Sequence, residues 1–359
     1  MDATLHVGQP NIGDQERFFQ RVRDAFERKW LTNDGPYVRE LEERIELLLA
    51  VEHCICLANA TLGLQFLARA LAMEGEVIVP SFTFIATPHA VLWEGMMPVF
   101  AEVDAQTHCI DPHDVARLIT DKTSAICGVH LWGTACEVEL LQGIADDNGL
   151  ALYFDAAHAF GCSGHSRLIG NFGDAEVFSF HATKFFHSFE GGAITTNDDD
   201  LAERLRRMRN FGFAGDNTPA GMLGINAKMN EINAAMGLTN LESLDAFIEV
   251  NARNYRLYQE LLAGVVKVYE FEQLTARNYQ YVVIETDDAD PLKDVLWEQG
   301  IRARRYFSPP CHLLPPYNYV KGSLPITEAL AKRTLCLPTG MNVSEEDVAR
   351  VCDIIRGAL

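Results

Sequence analysis

Lys184 closes the run Phe178-Ser179-Phe180-His181-Ala182-Thr183-Lys184, shortly before the glycine pair Gly191-Gly192. A primary amine at a strand end, beside a hydroxyl and a glycine turn, has the surroundings of a lysine that condenses with a carbonyl. Asp155 ends a second apolar run, Leu150-Ala151-Leu152-Tyr153-Phe154, and opens Asp155-Ala156-Ala157-His158-Ala159. Ligands of open α/β sheets gather at the carboxyl ends of such strands. Asn59-Ala60-Thr61 follows Cys54-Ile55-Cys56-Leu57 and opens a helical pattern. The N–H groups of a first helical turn, with a hydroxyl beside them, suit a phosphate.

Taken singly, each residue has an ordinary reading. Lys184 would be a solvated lysine, Asn59 an N-cap, Ser179 a strand serine bonded to the backbone, Asp155 a turn residue and His158 a core histidine. Together they converge on pyridoxal phosphate held on an open parallel sheet. Asp155 would keep the pyridine nitrogen protonated and the ring an electron sink, and His158 would bond the ring hydroxyl. Ser179 would add a hydroxyl at the phosphate.

The elements that must position these groups follow from the apolar pattern. In 359 residues, short apolar runs alternate with helical stretches between about 50 and 200, as in βαβ units. Strands are predicted at 53–57, 76–79, 98–103, 124–129, 150–154, 176–180 and 191–195, with helices at 61–73 and 134–148. The segment 201–210 reads as a helix whose Arg204, Arg206, Arg207 and Arg209 face solvent. Residues 211–224 carry loop chemistry, and a long helix, bent near its middle, spans 230–262. A strand at 279–285, a helix at 291–299 and a last helix at 344–359 complete a smaller α+β unit. The expected domains are 1–245, large, and 246–359, small.

Composition narrows the function classes. A net charge of −20 argues against a general nucleic-acid or anionic-membrane surface, so an anionic ligand needs a local basic pocket. Nine scattered cysteines without a repeated Cys-x-x-Cys spacing fit buried thiols in a reducing cytoplasm. Neither His53-Cys54-Ile55-Cys56 nor His108-Cys109 has the spacing of a structural zinc site, so no metal is expected. No stretch reaches the roughly 18 apolar residues of a membrane span, and the expectation is a soluble, cytoplasmic protein.

These residues, with Val79-Pro80-Ser81-Phe82-Thr83-Phe84, Val129-His130-Leu131-Trp132-Gly133 and Gly224-Ile225-Asn226-Ala227-Lys228-Met229-Asn230, resemble the DegT/DnrJ/StrS family of sugar aminotransferases. The resemblance begins at Asn33-Asp34-Gly35-Pro36 and runs through the C-terminal region. It implies an aspartate-aminotransferase-like α/β fold of type I, a mostly parallel mixed sheet flanked by helices with a smaller C-terminal α+β domain. Position by position it implies Lys184 as the Schiff-base lysine, Asp155 on the pyridine nitrogen and His158 at the ring hydroxyl. Phe84, which as a bare residue reads as core, falls where an aromatic ring packs on the cofactor; Ala60, Thr61 and Ser179 fall at the phosphate. Asn226 matches a position that reaches the cofactor of the other subunit, making the active site the property of a homodimer.

The chain departs from the pattern at Asn59-Ala60-Thr61, where many members have Ser-Gly-Thr, and at Lys228, where arginine is common. Relatives that dehydrate sugars carry histidine in place of the lysine, so Lys184 favours transamination. The expected reaction moves an amino group from L-glutamate to carbon 4 of a dTDP-4-keto-6-deoxyhexose, on the likeness of the Trp132 and His312 motifs. The alternatives are amination at carbon 3 of a 3-ketosugar nucleotide and a catalytically idle regulatory protein on the same fold. Arg302, Arg304 and Arg305 are candidates for an anionic substrate group, or form a solvated cluster.

Overall fold

The computed structural model describes residues 4–164, 167–214, 218–219, 221–271, 276–320 and 322–359. Its strands are β1 (Leu5–His6), β2 (His53–Leu57), β3 (Glu76–Pro80), β4 (Met97–Ala101), β5 (Thr123–Val129), β6 (Ala151–Asp155) and β7 (Ser163–Gly164). These are followed by β8 (Arg167–Leu168), β9 (Ala175–Ser179), β10 (Gly192–Thr196), β11 (Lys267–Val268), β12 (Val282–Glu285), β13 (Ile301–Arg302) and β14 (Thr334–Leu337). The helices are α1 (Gln15–Arg28), α2 (Pro36–Leu49), α3 (Ala60–Ala70), α4 (Ala86–Trp93), α5 (Pro112–Leu118) and α6 (Val138–Asn148). The rest are α7 (Asp199–Met208), α8 (Glu231–Leu241), α9 (Leu244–Leu261), α10 (Ala289–Glu298), α11 (Pro325–Arg333) and α12 (Glu345–Ala358).

The seven predicted strands are the seven strands of the central sheet, in the order β2-β10-β9-β6-β5-β3-β4. Strands β3, β4, β5, β6 and β9 run parallel, while β10 is antiparallel to both its neighbours. This is the expected α/β fold with a mostly parallel mixed sheet. Buried on both faces, the strands read as unbroken apolar runs, which is why their positions are legible from pattern. A second sheet, β11-β12-β14, packs with α9, α10 and α12 around Tyr258, Leu296, Val351 and Ile355. Strand β1 pairs with β13, so the start of the chain joins its C-terminal third.

Register aligns the edge that matters. Asp155 lies opposite Val129 of β5 and Val177 of β9, and Gly192 lies opposite both Ser179 and Leu57. The ends of β2, β5, β6 and β9 and the start of β10 therefore share one rim. Gly192 is required there, since a Cβ would stand 2.5 Å from the Ala60 nitrogen.

Three expectations need correction. Helix α6 begins at Val138 rather than 134, because residues 131–133 form a 3₁₀ turn in which Trp132 has a left-handed backbone, φ 59°. Arg209 does not face solvent with the other arginines of its segment: it is buried, paired with Glu42, with Asp34 at 3.1 Å and with the Cys56 carbonyl at 3.0 Å. Phe84 is not core; it is 57% exposed. Residues 215–217 and 220 of the expected 211–224 loop lie outside the described residues.

The pattern offered no element before residue 53, yet α1 and α2 form there and pack on α8. Helix α2 has no side-chain cap of its own at Gly35. The buried carboxylate of Glu231, the first residue of α8, accepts from the Tyr37 and Val38 amides at 3.0 and 2.9 Å, so a distant residue satisfies the orphan donors. Glu231→Ala should lower the unfolding free energy by about 3 kcal/mol, since two buried donors lose a charged acceptor. A urea midpoint unchanged from the parent would contradict this account of the helix start.

Candidate active site

A cavity of about 300 Å³ opens at the aligned rim. Lys184, Asp155, His158, Ser179, Ala60, Thr61, Phe84 and Arg304 line it; Asn226, Arg302 and Arg305 do not. They arrive from the start of α3, the loop after β3, the end of β6, the end of β9 and the loop after it, and the segment after β13.

Lys184 lies in the loop after β9, tied by its amide to the His181 carbonyl at 2.8 Å. The next residue is clamped on both sides, its amide donating to Gln280 Oε1 at 3.0 Å and its carbonyl accepting from Asn11 Nδ2 at 3.1 Å. The Lys184 Nζ meets the Tyr281 hydroxyl at 3.5 Å. Burial pushes its pKa down to about 8, with the Asp155 carboxylate opposing that shift.

Asp155 Oδ2 accepts from the Thr87 hydroxyl at 2.7 Å and Oδ1 from the Ala157 amide at 3.0 Å, which orients the carboxylate at the strand end. His158 joins a cluster of near-parallel rings, with Trp132 at 5.7 Å and Phe307 at 6.2 Å, which lie 5.9 Å from each other. Its Nδ1 accepts from the Trp132 amide at 3.4 Å, and its Nε2 lies 3.2 Å from the Tyr281 hydroxyl. Burial, then the nearby Lys184 charge, hold the His158 pKa well below the usual range, so the ring is neutral. A neutral ring that accepts at Nδ1 carries its proton on Nε2.

At the opposite end of the cavity, Asn59 caps α3 by accepting from the Leu62 amide at 2.9 Å. The cap leaves the first-turn amides of Ala60 and Thr61 to an anion at the positive end of the helix. Ser179 stands across from them on β9, its hydroxyl accepting weakly from the His181 amide at 3.5 Å.

The three arginines separate. Arg304 is pinned to β14 by two backbone bonds with Cys336, at 3.1 and 2.8 Å, and its guanidinium reaches the Tyr306 hydroxyl at 3.4 Å on the cavity wall. Arg302 lies over the Trp297 ring, 5.0 Å from its centroid. Arg305 pairs with Asp290 and donates to the Ala331 carbonyl at 2.6 Å. Alternation along an extended segment sends Arg304 and Arg305 to opposite sides, but it does not separate Arg302 from Arg304; Arg302 lies instead over the Trp297 ring.

Sequence reasoning passed over Thr87 and Tyr281, and met Tyr306 and Phe307 only as the opening of the His312 motif, without a place in the site. Tyr281 was inside the predicted strand 279–285, but β12 starts only at Val282, because Tyr279 has a left-handed backbone and the Gln280 amide turns to Asn278 Oδ1 at 2.9 Å. That break delivers Tyr281 to the lysine. No local signal marks it.

The lowered pKa has a measurable sign. The Lys184 amine is charged below about 8 and nucleophilic above it, whereas an ordinary lysine stays charged to about 10.4. Competitive labelling with fluorodinitrobenzene across pH should give Lys184 a midpoint near 8. A midpoint shared with the surface lysines would show that its amine is hydrated.

The protein-family comparison matches residues 13–356 to the DegT/DnrJ/EryC1/StrS aminotransferase family. Among relatives, the chain is 36% identical to an Escherichia coli dTDP-4-amino-4,6-dideoxy-D-glucose transaminase, covering 100% of both chains. It is 30% identical to a Vibrio cholerae GDP-perosamine synthase, covering 98% of each. Among solved structures, DesI in the presence of its TDP-sugar product superposes with a TM-score of 0.95 at 48% identity, covering 99% of this chain and 93% of that one. With a match across nearly its whole length, the chain belongs to the DegT/DnrJ/EryC1/StrS aminotransferase family.

Proposed function

We propose that the chain transfers an amino group from L-glutamate to carbon 4 of a dTDP-4-keto-6-deoxyhexose, using pyridoxal 5′-phosphate bound in the cavity. The observation that carries this reading is the convergence of Lys184, from the loop after β9, with Asp155 and His158, from the end of β6 and just after it, on one cavity that includes a helix N-terminus. The residues fit the cofactor. The first turn of α3 and Ser179 suit a phosphate, Asp155 suits a protonated pyridine nitrogen, the Nε2–H of His158 suits the ring oxygen and Phe84 offers an aromatic face. Gly192 keeps a Cβ from filling the approach to Ala60.

When bound, pyridoxal phosphate supplies the electron sink and carries the amino group between two half-reactions. Lys184 would provide the amine that holds the group, and its Nζ would move the proton to and from the substrate carbon. A pKa near 8 leaves a usable neutral fraction of that base at neutral pH. Asp155, oriented by Thr87 and the Ala157 amide, stabilises positive charge on the ring nitrogen throughout. Tyr281 touches both Lys184 and His158 and restricts where the freed amine can swing.

The substrate assignment draws on the names of the relatives. The E. coli transaminase and the TDP-sugar complex of DesI support a dTDP-linked 4-amino product, while the GDP-perosamine synthase likeness makes the nucleotide the softer part. Asn226 is exposed and lies next to Ile225 and near Leu223 and Phe211, all exposed apolar residues, which supports a second subunit packing there and the composite site. The start of α9 at Leu244 and the separate second sheet support a division near residue 245. Nine buried, unbridged cysteines support a reducing cytoplasm.

Borohydride reduction after loading should place a pyridoxyl adduct on Lys184, and Lys184→Ala should abolish turnover. Product NMR after incubation with glutamate and each ketosugar nucleotide should show amination at carbon 4; amination at carbon 3 alone would overturn the regiochemistry. Sedimentation should show a dimer, with Asn226→Ala weakening cofactor retention about tenfold through loss of a charged hydrogen bond. An active monomer would overturn the composite site.

A further inference from the structure

His108 lies outside the cavity lining and has no part in the chemistry above, yet it is tied to that chemistry by a chain of direct contacts. Its Nδ1 accepts the indole N–H of Trp132 at 3.1 Å. An indole nitrogen can only donate, so Nδ1 is bare and the His108 proton is on Nε2, 3.8 Å from Glu285 Oε1. Both side chains of this pair are almost wholly buried, and burial holds the His108 pKa down at about 4, so the neutral form that the indole requires is the one present.

Trp132 is the unusual member. It is fully buried with a left-handed backbone, φ 59° and ψ 2°, a conformation that a bulky residue adopts only when its surroundings impose it. Two of its contacts impose and use that conformation. The indole is anchored by His108, and the amide points at His158 Nδ1 from 3.4 Å while the indole face stacks on the His158 ring. Were the His158 proton on Nδ1, it would confront the Trp132 N–H. The amide therefore selects the tautomer with Nε2–H, the nitrogen directed at Tyr281 and the cavity.

We propose that His108 is a positioning residue for the reaction: by anchoring the Trp132 indole it holds the Trp132 amide against His158 Nδ1 and so fixes the His158 proton on Nε2. The inference rests on the reading of His158 as the donor to the cofactor's ring oxygen. Removing the anchor frees Trp132 to relax toward ordinary backbone angles, withdraws its amide and lets both His158 tautomers form. Molecules with the proton on Nδ1 would then present a lone pair where the site needs a donor.

The test compares His108→Leu, which has no acceptor, with His108→Asn, whose carbonyl oxygen stands near the place of Nδ1. Histidine-¹⁵N-labelled full-length protein is read by two-bond ¹⁵N–¹H correlation with and without pyridoxal phosphate. The parent and His108→Asn should show His158 as a single Nε2–H tautomer, and His108→Leu a mixture. His108→Leu should also lose about tenfold in kcat with KM for the sugar nucleotide unchanged. A single parent-like tautomer in folded His108→Leu overturns the proposal, whatever its activity. Should His108→Leu fail to fold, Trp132→Phe removes the indole donor from the other side and must give the same tautomer mixture; an unchanged tautomer there overturns it equally. Because the tautomer is also read without cofactor, a failure of Lys184 to take up the cofactor would sink the functional reading and leave this result standing.

Discussion

Desolvation of one amine organises the site. A lysine in water is charged and a poor nucleophile at neutral pH, and at Lys184 it is burial that changes this, against the opposing Asp155 carboxylate. Lys184 is therefore held in a loop clamped at Phe185 by Gln280 and Asn11, so the side chain enters the cavity instead of escaping to solvent. The same dryness acts on its neighbours. It keeps His158 neutral, which turns that ring into a directional donor and acceptor, and it strengthens the charge of Asp155 on whatever sits between them.

The sheet supplies the geometry that such a site demands. Register places Val129, Asp155 and Val177 side by side, and Gly192 between Ser179 and Leu57, so groups from five strands arrive on one rim with little freedom. A strand end fixes a Cα more tightly than a loop, and a bond to a neighbour then fixes the side chain: Thr87 for Asp155, Trp132 for His158. The antiparallel strand β10 matters for the same reason. Its glycine start lets the N-terminus of α3 approach closely enough for the helix amides to face the cavity.

Buried charges elsewhere bind the N-terminal helices to this frame. Glu231 satisfies the start of α2, and Arg209 joins Glu42 of α2, Asp34 and the carbonyl of Cys56 on β2. Burial pushes the Glu42 pKa up while the Arg209 guanidinium pulls it down, so the pair holds only as a pair. Through it the segment before α2 is tied to the strand that leads into α3, whose first turn lines the cavity.

Much of this was legible in the chain alone. The central strands, buried on both faces, must be apolar throughout, and Lys184, Asp155, Ser179 and Asn59 stand out as polar residues at or just beyond the ends of such runs, where open α/β sheets gather their ligands. Pattern could not show that Arg304 faces the cavity while Arg302 and Arg305 turn away, that Phe84 is exposed, or that Arg209 is buried. Those outcomes depend on partners far along the chain. Tyr281 stands 97 positions from Lys184, and His108 meets Trp132 across 24 and Glu285 across a second sheet. Local sequence determined the strands, the caps and the reactive lysine, because propensity and periodicity act over a few residues. Tertiary structure decided which side chains keep that lysine dry and which nitrogen of His158 bears its proton, because dielectric and hydrogen-bond direction are properties of the assembled surroundings.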